Sequence, residues 1–140
     1  MNIPAFSLFS AVSELFVTAG VLYSLLVNLR GRELPFRVMA PTLAFEFLIN
    51  ITYMTMRASQ ADKDVALSTV MKIFYATHGI LSLLMFLLLA ATFLISMVDL
   101  SANRASWYAR HRGLSWTLIF FWMVSVSTGE AIFVGRYLLP

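Results

Sequence analysis

Glu14, Glu46, His78 and Glu130 are the residues of this chain whose types invite chemistry, because each lies inside one of its four long apolar stretches. An ionised side chain at bilayer depth costs on the order of 2.5–3.5 kcal/mol even on insertion scales, so such residues imply partners or function. Three carboxyls and an imidazole on separate helices can be read in several ways. They can be protonated or hydrogen-bonded interior groups. They can be metal ligands, the geometry by which four-helix bundles hold iron or manganese, although no Glu-x-x-His pair is present. They can also line a proton or cation path, or bind a partner helix bearing a complementary group. At a rise of ~1.5 Å per residue, Glu14 and Glu46 lie roughly 15 Å and ~16 Å from the outward ends of their helices, and His78 and Glu130 roughly 9 Å. Convergence in one half of a bundle is therefore expected, with Asn50, Thr77 and Ser127 as neighbouring hydrogen-bonding groups.

The other candidate ligands are fewer. His78 is of a type that binds haem or copper, and Met54, Met56 and Met71 fall at the same end of their helices, where thioethers favour Cu(I). His111, between Arg110 and Arg112, belongs at headgroup level. With no cysteine, disulfides, thiolate metal sites and cysteine nucleophiles are excluded. There is no Gly-rich phosphate loop, no Ser/His/Asp arrangement and no paired-carboxylate hydrolase pattern, so the chain does not read as an enzyme. The net charge of +3 is spread over short loops without interleaved aromatics, which speaks against nucleic acid.

The elements that position these residues follow from composition. At 140 residues, 60% hydrophobic and a mean hydropathy of +0.82, the chain has too little polar surface for a soluble domain and reads as one membrane domain. The apolar stretches Ala5–Leu29, Val38–Met56, Val70–Val98 and Leu114–Leu139 are each long enough to cross a ~30 Å hydrocarbon core. The expected fold is all-α, an integral membrane up-down-up-down four-helix bundle. Residues 1–28 lack a basic n-region and a small-residue cleavage site, so the first span is expected to be retained. Arg30, Arg32, Arg37, Arg104, Arg110 and Arg112 flank the first and third loops, against Arg57, Lys63, Lys72 and Arg136 at the other end; Asp62 and Asp64 do not enter this comparison. The positive-inside rule then makes those two loops cytoplasmic and turns both termini outward. Pro35 should precede the second helix, Pro41 should fall near its first turn, and Ser68 or Thr69 should cap the third. Trp107, Tyr108, Trp116 and Tyr137 read as interfacial anchors. Ala11, Ala19, Gly20, Gly79, Ser82 and Gly129 are small enough for close helix approach.

The second half of the chain carries a pattern. Ala76-Thr77-His78-Gly79-Ile80-Leu81 opens one span, Arg110-His111-Arg112 precedes the next, and Trp122-Met123-Val124-Ser125-Val126-Ser127-Thr128-Gly129 lies within it. Together with Asn50-Ile51-Thr52-Tyr53-Met54, this series over residues 35–139 resembles the CtaM/YozB-type family of four-span bacterial membrane proteins, which is linked to maturation of haem-copper cytochrome oxidase. That family shows four prominent histidines, two toward each side of the membrane. Here His78 and His111 match, whereas Phe36-Arg37 and Tyr53-Met54 stand where the family has His-Arg and Tyr-His. The resemblance implies a bacterial inner (cytoplasmic) membrane and a non-catalytic maturation factor or accessory subunit of a respiratory or photosynthetic electron-transfer complex, in contact with that complex and with lipid. It also implies haem or copper as a cofactor to test, with His78, Met54 and His111 as the candidate ligands. A small proton-coupled transporter using Glu14 is the other reading that the intramembrane carboxyls raise.

Overall fold

The computed structural model describes residues 3–58 and 68–139. Those residues form five helices: α1 (Ala5–Leu29), α2 (Phe36–Ala58), α3 (Thr69–Ser101), α4 (Trp107–Arg110) and α5 (Arg112–Tyr137). All but α4 are long and apolar enough to cross a membrane. Lys63, Asp62 and Asp64 of the second loop lie outside the described residues.

Local chemistry sets the helix ends. Pro35 stands directly before α2, and its carbonyl accepts from the amides of Val38 (2.9 Å) and Met39 (3.0 Å), two donors that a helix start otherwise leaves orphaned. Ser68 caps α3 as expected, its hydroxyl accepting from the Met71 amide at 3.3 Å. Pro41 lies deeper than expected, in the second turn of α2, where its missing N–H leaves the Arg37 carbonyl without the usual helical donor. After α1 the chain turns through Gly31 at φ 82°, and after α3 through Asn103 at φ 55°, a left-handed conformation that asparagine tolerates.

The third loop is shorter than the sequence suggests. The helix before it runs on to Ser101, the helix after it starts at Arg112, and the four-residue α4 occupies much of the connection. Tyr108, read from sequence as an interfacial anchor, is completely buried. Its hydroxyl reaches back into α3, donating to the Leu89 carbonyl (3.1 Å) and meeting Thr92 Oγ1 (3.0 Å). Ser106 begins α4 by accepting from the Ala109 amide and bonds Asn28 Oδ1 of α1 at 2.5 Å. Ser96 accepts the Trp107 amide, and Asp99, at 5% exposure, is ion-paired with Arg110. The wrong assignment of Tyr108 has a simple cause, since an aromatic ring with one polar tip suits a membrane interface and a buried hydrogen-bonding position equally well.

Close packing joins α1 to α2, α1 to α5 and α3 to α5. The α1–α5 register is fixed by Ser7 against Tyr137 and the Trp122 indole N–H donating to Thr18 Oγ1 (3.2 Å), while Asn28 against Ser106 ties α1 to the start of α4. Gly20 and Gly129 are the small residues that bring helices close. A methyl group on Gly20 would lie 2.7 Å from Thr42 Oγ1 of α2, and one on Gly129 would lie 2.9 Å from His78 Cε1 of α3. Gly79 has open space on its side and brings nothing close. Between α2 and α3 the bridges are aromatic, Phe36 against Phe93 at 5.5 Å and Phe47 against Phe86 at 6.0 Å.

The core is lopsided along the helix axes. Val21, Leu25, Met39, Leu89 and Tyr108 are at its centre, toward the end formed by the first and third connections. In contrast, no residue is buried in 3–12, 47–56, 68–84 or 127–139. One half of the molecule is thus a packed, sealed bundle and the other half is open.

Candidate functional site

The polar residues singled out from sequence sit at the floor of the open half. Glu46 of α2 is buried at 3% exposure, one turn short of the open region. Asn50, one turn further along the same face, donates its side-chain N–H to Glu46 Oε1 at 2.6 Å. Glu14 of α1 and Glu46 of α2 lie close enough for their carboxyls to act on each other, and Glu130 of α5 is close enough for its charge to act on Glu14. Three helices therefore deliver their carboxyls to one place. Two ionised carboxylates have only acceptors to offer each other, so any direct bond between Glu14 and Glu46 needs a proton on one of them.

His78 of α3 lies beside this group but is engaged elsewhere. Its Nδ1 is 3.0 Å from Thr128 Oγ1 of α5. The Thr128 hydroxyl donates to the Ser125 carbonyl at 2.8 Å, so its oxygen is left to accept from the ring. In the tautomer this arrangement favours, Nδ1 carries the proton and Nε2 is the nitrogen left over for other chemistry. The expected neighbours Thr77 and Ser127 are exposed, and the partner is Thr128, one residue further along α5.

The remaining candidates disperse. Met54 is 57% exposed on α2. His111 belongs to the sealed end, stacked on the Trp107 ring at 4.8 Å with Nδ1 3.0 Å from the Trp107 carbonyl oxygen. Among the described residues no set of three or more His, Asp and Glu side chains is arranged to hold a metal ion. The donors present do not fit a metal cage: Glu46 is bonded by Asn50, and the imidazole meets a hydroxyl. Chemically the arrangement can hold and pass a proton between carboxyls, and it can hydrogen-bond a polar group brought in by another helix.

Sequence reasoning missed the second polar network, that of Asn28, Thr92, Ser96, Asp99, Ser106 and Arg110 at the sealed end. The available signal was Asp99 at the end of an apolar run with Arg104 and Arg110 shortly after it, a spacing that allows a carboxylate to fold back on its own loop.

No protein-family model, no curated protein and no solved structure matches this chain.

Proposed function

We propose that this chain is an up-down-up-down four-helix protein of a bacterial inner membrane that acts without catalysis, as an accessory subunit or maturation factor of an electron-transfer complex. The observation that carries the reading is the open half of the bundle, with Glu14, Glu46, Asn50 and Glu130 at its floor and only exposed or half-buried residues beyond. In lipid, apolar surface gains nothing by leaving the tails for another helix, so association depends on shape and on polar contacts. A polar floor under an unfilled half supplies both, and a helix of a partner complex is the occupant it suits. The contacts of Ser7 with Tyr137 and of Phe6 with Tyr53 at the same end support antiparallel neighbours. The electron-transfer setting is supported by the resemblance of residues 35–139 to the CtaM/YozB-type family.

Proton-coupled transport is the second reading, favoured by the nearness of the Glu14 and Glu46 carboxyls on two membrane-length helices. One purification separates the readings: extraction of native membranes in mild detergent, with size analysis, optical spectrum and metal content on one fraction. Co-migration with a larger cytochrome- or pigment-bearing complex is the expected result. A small species with a Soret band or stoichiometric metal would overturn it in favour of haem or copper held through His78 Nε2. A small species with neither, whose reconstituted transport is lost on Glu14→Gln, would overturn it in favour of the transporter.

A further inference from the structure

Away from the carboxyl cluster, a furrow of about 410 Å³ runs along the outside of the molecule between α1 and α2. Phe16 and Val17 form one wall, and Pro41, Thr42 and Phe45 the other, with Arg37 at one end. Its volume lies within the range of small-molecule sites. The furrow exists because of the local sequence. Gly20 lets Thr42 come against α1, and Thr42 turns its hydroxyl back to the Val38 carbonyl at 2.7 Å, so that its donor is spent within α2. Phe16, at 73% exposure, and Phe45 stand up as rims on either side.

Charge and depth define the occupant. Pro41 and Phe45 lie one and two turns beyond Arg37 on the same face of α2, about 6 and 12 Å along the axis. Arg37 is in the first turn of a membrane-length helix, so its guanidinium stands at headgroup level while the rest of the furrow descends into the hydrocarbon region. It is exposed, and among the described residues its side chain makes no hydrogen bond or ion pair, with Glu33 of the same connection included. Arg30 and Arg32 add exposed positive charge beside it. A guanidinium recognises phosphate oxygens through paired N–H donors, and basic pockets between membrane helices bind anionic headgroups. An apolar channel with a free cation at its shallow end matches a molecule that has an anionic head and an alkyl tail.

We propose that this furrow binds an anionic phospholipid, with the phosphate on Arg37 and an acyl chain lying along Phe16, Pro41 and Phe45. The proposal rests on the membrane reading and is independent of any partner complex.

The test is native mass spectrometry of the full chain in detergent, titrated with phosphatidylglycerol or with phosphatidylcholine of the same chain lengths. Phosphatidylglycerol should be retained preferentially. Arg37→Gln should reduce that retention about tenfold, equivalent to about 1.4 kcal/mol, while Arg104→Gln, in the connection after α3 and not among the furrow's lining residues, should leave it unchanged. Phe16→Ala should weaken retention of both lipids. Because Arg37 and Phe16 are exposed, these replacements remove no buried contact, and unchanged far-ultraviolet circular dichroism checks the fold. Equal retention of the two lipids, an unaffected Arg37→Gln variant, or an equal loss in Arg104→Gln would overturn the proposal. So would displacement of the lipid by millimolar inorganic phosphate, which would mark a free-ion site, or recovery of an acidic peptide in place of lipid.

Discussion

Replacing Glu46 tests whether the carboxyl cluster is a hydrogen-bonded unit. In the structure Glu46 accepts from Asn50 at 2.6 Å and faces the Glu14 carboxyl, so Glu46→Leu removes a partner from two polar side chains at once. A buried group left unpaired costs about 1–3 kcal/mol. Glu14 and Asn50 are only half-buried and recover part of their hydration, which sets the expected loss at about 2–4 kcal/mol. Glu46→Gln keeps a polar partner for both, since its carbonyl oxygen still accepts from Asn50 and its amide N–H can donate to the Glu14 carboxyl in place of the proton between them. Its expected cost is below about 1 kcal/mol. Unfolding in mixed micelles, followed by circular dichroism as the denaturing detergent fraction rises, reads both variants on one scale. A cycle with Glu14→Leu should show a coupling of about 0.5–3 kcal/mol, as groups in contact do. The reasoning is refuted if Glu46→Leu unfolds together with the parent protein, or if Glu46→Gln costs as much as Glu46→Leu. A gain of stability in Glu46→Gln would show instead that two ionised carboxylates repel each other there.

Other consequences are as direct. Gly129→Ala should destabilise by about 1–3 kcal/mol, the cost of overpacking, because the new methyl lies 2.9 Å from the His78 ring and must break its bond to Thr128; Gly79→Ala, which meets nothing, should be neutral or slightly stabilising in the same unfolding assay. Tyr108 belongs to α4, outside the spanning helices, and burial pushes its ionisation well above the ordinary phenol range, partly offset by its bond to Thr92. The unfolded chain therefore loses this proton first, and the stability that Tyr108 contributes is intact below pH ~10 and lost as pH rises further. A spectrophotometric alkaline titration of the parent against Tyr108→Phe checks this, because the variant should lack the latest phenolate component, and two superimposable curves would exclude the burial argument.

Much of the fold could be read from residues alone because its signals are local. Length and hydropathy mark the four long helices, since any segment that crosses hydrocarbon must satisfy its own backbone and be apolar throughout. Pro35 and Ser68 mark helix starts through orphaned amides that only adjacent atoms can reach. The concentration of Glu14, Glu46, His78 and Glu130 toward one end followed from counting residues along each axis. Where those side chains point did not, because consecutive residues on a helix are turned by ~100° and an error of one residue moves a side chain to another face.

In a soluble helix an apolar stripe reveals the inward face. Here lipid and core demand the same residue types, so Phe16 on the surface and Leu25 in the core are indistinguishable by composition. Sequence by itself determined the number of the long helices, their ends to within a few residues, and the presence of a carboxyl or imidazole within each. Tertiary packing alone decided that Glu14 meets Glu46 while His78 turns to Thr128, that Tyr108 folds inward, and that one half is sealed while the other stands open. Those outcomes depend on helix rotation and crossing, which are fixed where Gly20 and Gly129 let neighbouring helices touch.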